Sequence, residues 1–188
     1  MIAALVLPVA AFSQSQDAYK AFCSKLSASM TTFSYTYKVD GKIPLSGSGT
    51  VVLQGDAFSL NGDGIEVFCD SKTRWTVDRA AKEAYAEPAD ADFAANPALL
   101  VGNLDKNFRL SSSSPLTLVP VNSKIGFKSV VLVFDGQTLK QLRLTSGDGN
   151  VTTIVISALK HAPLSKDLSE FSFDPKALGK EYVITDLR

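Results

Sequence analysis

One histidine, two cysteines and nineteen Asp and Glu side chains are the material from which catalysis or metal binding would have to be built. His161 sits in LKHAPLS, just past an apolar run, with no serine elbow and no cysteine motif beside it. Acid–base or nucleophilic chemistry therefore has no partner there, and the sequence places the ring on a solvated loop. One His and two distant Cys fall short of a zinc ligand set. GDG occurs at residues 62–64 and 147–149. A calcium loop needs more oxygen ligands at regular spacing, and hairpin turns account for both. No Gly-rich loop leads into a helix, so there is no phosphate cradle. The carboxylates fall mostly at turns and on polar strand faces, where they keep edges soluble. The chain thus reads as a binding protein without cofactor or metal, not as an enzyme.

The elements that carry these residues follow from periodicity. Tyr19, Phe22, Cys23, Leu26 and Met30 form one apolar stripe at helical spacing, opposite Lys20, Ser24, Lys25 and Ser27. The period then switches to two. Phe33, Tyr35, Tyr37 and Val39 alternate with Thr32, Ser34, Thr36 and Lys38, a strand with an aromatic face. Val51 and Leu53, then Phe58 and Leu60, then Ile65, Val67 and Cys69, then Trp75 and Val77 continue the inward-facing positions of a meander. Asn61-Gly62-Asp63-Gly64 and Asp70-Ser71-Lys72 mark its turns. In PADADFAANPALLVGNL, Asn96 can cap a short helix that has Pro97 at its first position and ends at Gly102. Further strands resume in NFRLSS, PLTLVPV, FKSVVLVFDG, TLKQLRLTSG and NVTTIVISAL, and DLSEFSFDPKALGKEYVITDL closes the chain with Phe171 and Phe173, a turn and a final short strand. Roughly ten or eleven short strands with one long helix mean a large antiparallel sheet or barrel.

Nineteen basic residues balance nineteen acidic ones, so no long-range field gathers nucleic acid. At 188 residues, one domain is expected. MIAALVLPVAAFSQSQDA is an apolar run followed by small and polar residues, too short to span a bilayer and similar to the apolar region of a secretory signal. Its basic start is missing, as in a truncated or misassigned beginning. The expected cut follows Ser13, which leaves residues 1–13 as a signal remnant and residues 14–188 as the mature domain; a buried N-terminal helix or strand is the other reading. In an exported chain, Cys23 and Cys69 suggest a disulfide, open geometrically if the helix packs inside the sheet. It would close a loop of about 47 residues and be worth roughly 4 kcal/mol. Two separate core thiols are the alternative. One long helix is little cover for about ten strands, and a curved sheet of that size leaves a cavity unless side chains fill it.

The run GSGTVVLQGDAFSLNGDGIEVFCDSKTRWTVDRAAKEAYAE resembles the periplasmic outer-membrane lipoprotein carrier proteins, the LolA-like group. The resemblance rests on Gly49–Leu53, Ala57-Phe58-Ser59-Leu60, Asp70–Trp75, Asn96-Pro97-Ala98-Leu99-Leu100 and Phe171-Ser172-Phe173-Asp174-Pro175, in that order. It implies an unclosed antiparallel β-barrel with helices as a lid over an apolar cavity. It also implies a monomeric periplasmic carrier that takes lipoproteins by their acyl chains from an inner-membrane ABC exporter to an outer-membrane acceptor. Phe33, Tyr35, Val51, Leu53, Phe58, Leu60, Val67 and Trp75 are then the cavity wall, with Leu99 and Leu100 in the lid. An envelope sensor or adaptor of the same fold, binding lipids or proteins, is the alternative. The chain departs from the family pattern at Ser59, where well-studied carriers have a lid-latching Arg, at Asp70-Ser71 in place of Asp-Gly, and in lacking a Pro before the Phe strand. Arg74 is the nearest substitute for the latch, and its strand parity points it away from Trp75.

Overall fold

The computed structural model describes residues 10–41, 43–89, 96–122 and 125–188. Residues 1–9 of the expected signal remnant and residues 90–95 of the alanine-rich segment lie outside them. Helix α1 (Ala10–Ala28) is followed by β1 (Met30–Asp40), β2 (Leu45–Gln54), β3 (Ala57–Gly62), β4 (Ile65–Cys69), β5 (Thr73–Asp78) and β6 (Glu83–Pro88). Two short helices, α2 (Pro97–Gly102) and α3 (Leu104–Asn107), interrupt the strands. The rest are β7 (Phe108–Ser113), β8 (Leu116–Pro120), β9 (Phe127–Asp135), β10 (Thr138–Ser146), β11 (Val151–Ala162) and β12 (Val183–Asp186).

These form one sheet in the order β12-β6-β5-β4-β3-β2-β1-β11-β10-β9-β8-β7. Neighbours are antiparallel except β12, which runs parallel to β6. The edge strands β12 and β7 do not pair with each other, so the sheet is unclosed. It has twelve strands where roughly ten or eleven were expected, and the expected final short strand is the four-residue β12. Among the described residues, no helix is long and apolar enough to cross a membrane.

The inner face holds the main core. Ala18, Phe22 and Leu26, spaced four apart, bury one line of α1 against β7, β9 and β10. Tyr19 and Cys23 flank that line half-buried, while Met30 already belongs to β1. The Asn96 side chain accepts from the Ala98 N–H at 2.9 Å and Pro97 opens α2, as its sequence demands. On β10, Leu139 and Leu142 both point inward despite their odd spacing, because the register shifts between Leu139 and Gln141. The Gly147–Asn150 turn is closed by Asp148, which accepts from the Ser146 hydroxyl and from the Asn150 side chain at 2.7 Å.

The outer face has a second, smaller core. After β11 the chain is tied to Gln54 by two hydrogen bonds with the Ser165 backbone, at 2.7 and 2.9 Å. It then turns over β3 and β4 at Ser169–Phe171 and lays Phe173, Leu178 and Tyr182 on Trp75, Val77, Ala84 and Ala86. Phe173 stacks on Phe68 at 5.2 Å and leans on Trp75 at 5.5 Å.

Two expectations are corrected here. Cys23 and Cys69 are free thiols: α1 lies against β7, β9 and β10, whereas Cys69 belongs to β4 on the far side of β1. Burial pushes the Cys23 thiol up to about 11, with the nearby Asp105 carboxylate adding to it, and burial likewise raises Cys69.

His161, in turn, is exposed as expected but is in β11 and not on a loop, because pairing with β1 carries that strand on to Ala162. Its Nδ1 lies 2.9 Å from Thr31 Oγ1 and 3.1 Å from Ser29 Oγ, and its ring meets Phe22 edge-on. Burial, with the Lys25 ammonium adding, lowers its pKa below the ordinary 6.5. A folded-state value below the unfolded one stabilises the fold above the unfolded pKa, and that contribution is lost as pH falls through the folded value. Unfolding of the wild type is therefore expected to become easier from pH 7.5 to pH 5 by more than in His161→Gln. Equal losses in urea titrations of the two proteins would remove His161 from the acid response.

Candidate functional site

A cavity of about 530 Å³ opens between the inner face and α2. Such volume lies within the range of about 300–1,000 Å³ usual for ligand pockets. Tyr35, Tyr37 and Val39 from β1, Leu45 from β2, Leu60 from β3, and Ile65 and Val67 from β4 supply one side. Phe127 from β9, Leu144 from β10, and Thr152 and Ile154 from β11 supply the other; Asn96, Pro97 and Leu100 roof it, and Arg74 from β5 completes the wall. Eight adjacent strands, β5 through β9 in sheet order, thus surround one space. Laid flat at about 4.8 Å per strand they would span roughly 34 Å, so the sheet must curl around the cavity.

Of the residues expected in the wall and lid, Tyr35, Leu60, Val67 and Leu100 line the cavity. Phe33, Val51, Leu53 and Phe58 face the same way but are fully packed in the core nearer the start of β1. Leu99 is half-buried against that core and does not line the cavity. Trp75 is on the opposite face. Cys69 pairs with Arg74 and Val67 with Thr76, so an inward Val67 sends Arg74 and Thr76 inward and Trp75 outward. Ser59 pairs with Phe68 and shares that outer face, and the guanidinium in the cavity wall is that of Arg74, bonded to Glu87 at 2.8 Å.

The polar end of the cavity was not read from the sequence. Tyr35 lies over a floor of glycines. A Cβ added at Gly49 would sit 2.7 Å from Tyr35 Oη, and one at Gly62 2.9 Å from it. A Cβ at Gly47 would overlap the Asp63 carboxylate. That carboxylate accepts from the Ser48 N–H at 3.1 Å, and burial, with the Asp63 carboxylate adding, raises the pKa of the Tyr37 hydroxyl. Asp63 and Gly64 take the left-handed conformation of a tight hairpin, with φ of 53° and 80°. Burial, with Asp63 and Tyr37 adding, pushes Tyr35 up to about 12, so its hydroxyl stays protonated. The signal for this arrangement was the alternation of Gly47 and Gly49 within a strand, opposite Tyr37 and Tyr35.

Comparison with curated proteins returns no match. Solved structures do resemble the chain. An uncharacterized conserved protein from Thermus thermophilus is 13% identical, with TM-score 0.50, 91% of this chain covered and 98% of that one. A LolA superfamily protein from Nitrosomonas europaea is 9% identical, with TM-score 0.48 and coverage of 85% and 98%. A DUF1329 family protein from Desulfovibrio piger is 12% identical, with TM-score 0.48 and coverage of 88% and 99%. At such identities the likeness concerns the fold alone. The sequence itself says more: the model of the outer membrane lipoprotein carrier protein LolA matches residues 59–174, 116 of the 188, and the chain belongs to that family.

Proposed function

We propose that this chain is a periplasmic carrier that shields the acyl chains of lipoproteins. In this reading residues 1–13 are the remnant of an export signal, residues 14–188 form one carrier domain, and the protein works as a monomer between an inner-membrane ABC exporter and an outer-membrane acceptor. The observation that carries it is the apolar cavity enclosed by the curled sheet and roofed by Leu100 of α2. An exposed methylene costs about 0.8 kcal/mol in water, so a lipid-modified protein needs such a shelter to cross an aqueous compartment. No reaction is required, only a wall that accepts an acyl chain and releases it.

The test is to mix the purified chain with a triacylated lipoprotein without detergent and to run size exclusion. A soluble one-to-one complex is expected. Leu60→Asp places a charge in the wall and Leu45→Asp one at the exposed mouth. Each is expected to weaken the complex about a hundredfold or more, since an unpaired charge facing acyl chain is left desolvated. Lipoprotein that aggregates equally with and without the protein would overturn the carrier reading and leave a sensor or adaptor that binds another lipid or a protein.

A further inference from the structure

The cavity is apolar over most of its wall, yet its mouth is built around a negative charge. Asp63 stands on the turn between β3 and β4, and its carboxylate accepts from one neutral donor, the Ser48 N–H, at 3.1 Å. Among the described residues, no lysine or arginine pairs with it. The other charge on the wall, Arg74, is matched by Glu87. The Tyr35 and Tyr37 rings, stacked 6.4 Å apart at 29°, stand beside the carboxylate. Three glycines, Gly47, Gly49 and Gly62, leave the room that these polar ends occupy.

A carboxylate next to stacked aromatic faces, at the open end of an apolar cavity, is the chemistry that receives a cation joined to a hydrocarbon tail. An ammonium there exchanges its hydration for the Asp63 oxygens and the electron-rich ring faces, while its tail runs inward toward Leu60, Val67 and Ile154. A phosphate or free carboxylate at the same point would meet Asp63 as a like charge.

We infer that the mouth formed by Asp63, Tyr35 and Tyr37 is a head-group site for an ammonium-bearing amphiphile. This rests on the carrier reading and adds to it a preference for cargo with a free amine beside its acyl chains. Two sources share that chemistry: an ethanolamine phospholipid, and a diacylated lipoprotein whose terminal cysteine keeps a free amino group.

The test measures binding of two probes to the full chain by calorimetry below their micellar concentrations. One is a lysophosphatidylethanolamine and the other a diacylglyceryl-cysteinyl lipopeptide, each against its own N-acetylated form. Each free amine is expected to bind about tenfold more tightly than its acetylated partner. In Asp63→Asn the preference of each free amine over its acetylated partner should fall to within about twofold. Asn tolerates the left-handed φ of this position, so the turn is preserved. Tyr37→Phe, which removes only the hydroxyl, should leave most of the preference because the ring face remains. A preference for one probe's amine alone supports the site and identifies the source. Equal binding of amine and acetylated forms to the wild type overturns the head-group site while the carrier reading stands. Binding of no probe in any form removes both.

Discussion

Phe22→Ala is expected to lower the free energy of unfolding by about 3–5 kcal/mol, the range for deleting a fully buried aromatic side chain. Phe22 has no exposed surface and stands at the middle of the single line by which α1 is seated. Its ring meets Phe134 edge-to-face at 5.8 Å and closes over His161, whose own bonds run to Ser29 and Thr31. Most helical stability in proteins comes from packing of an amphipathic face, so the order of α1 depends on this contact. Truncation leaves a hole between α1 and strands that cannot collapse into it. Urea denaturation of the wild type and the variant measures the loss. Lys20→Ala, on the exposed side of α1, should change stability by no more than about 0.5 kcal/mol. A Phe22→Ala loss under about 1 kcal/mol would mean that α1 is not held against the sheet as described.

Trp75→Ala is expected to cost about 3 kcal/mol, at the low end for a large aromatic residue because 9% of Trp75 remains exposed. The indole is the centre of the outer core. It supports Phe173, rests beside Val77 and Ala86, and carries the Arg188 guanidinium 5.9 Å above its ring. Its loss should loosen the segment from Phe171 to the C-terminus, together with β12, which stands at the sheet edge beside β6. Acyl binding by the folded protein should stay within about twofold of wild type, since Trp75 faces away from the cavity. Two readouts separate the possibilities: denaturation reports the outer core, and binding of a fluorescent fatty acyl probe reports the cavity. Binding lost at unchanged stability would place Trp75 in the wall and contradict the register of β4 and β5.

Trp75 also shows how far strand parity can be read. That Trp75 and Val77 share a face, with Arg74 and Thr76 on the other, is legible from alternation alone. Which face lies inside is not. Both faces of this part of the sheet carry apolar residues, and the outer one is buried only because residues from Phe173 to Tyr182 return across it. The short connection through Asp70 and Ser71 fixes the register that decides the matter, pairing Cys69 with Arg74. An inward Trp75 is incompatible with an inward Val67 on the neighbouring strand, because Val67 pairs with Thr76. The expected cysteine pairing failed for a related reason. A buried helix position and a buried strand position need not be neighbours when the sheet between them is wide.

What the sequence by itself determined was local. The alternation from Phe33 to Val77 and the turn residues made antiparallel strands the available solution, and the apolar stripe through Phe22 and Leu26 made α1 a helix that needs a partner. Asn96, Pro97 and Gly102 bounded α2, because capping and the fixed φ of proline act within a few residues. Only the tertiary structure decided the site. Curling brings Leu144 and Ile154 to face Leu60 and Val67, and it gathers Tyr35, Tyr37 and Asp63 over Gly47, Gly49 and Gly62 at one mouth. Side-chain period records that a face is apolar but not which strands enclose the same volume. That depends on the order of pairing, above all on β1 joining β2 on one side and β11 on the other.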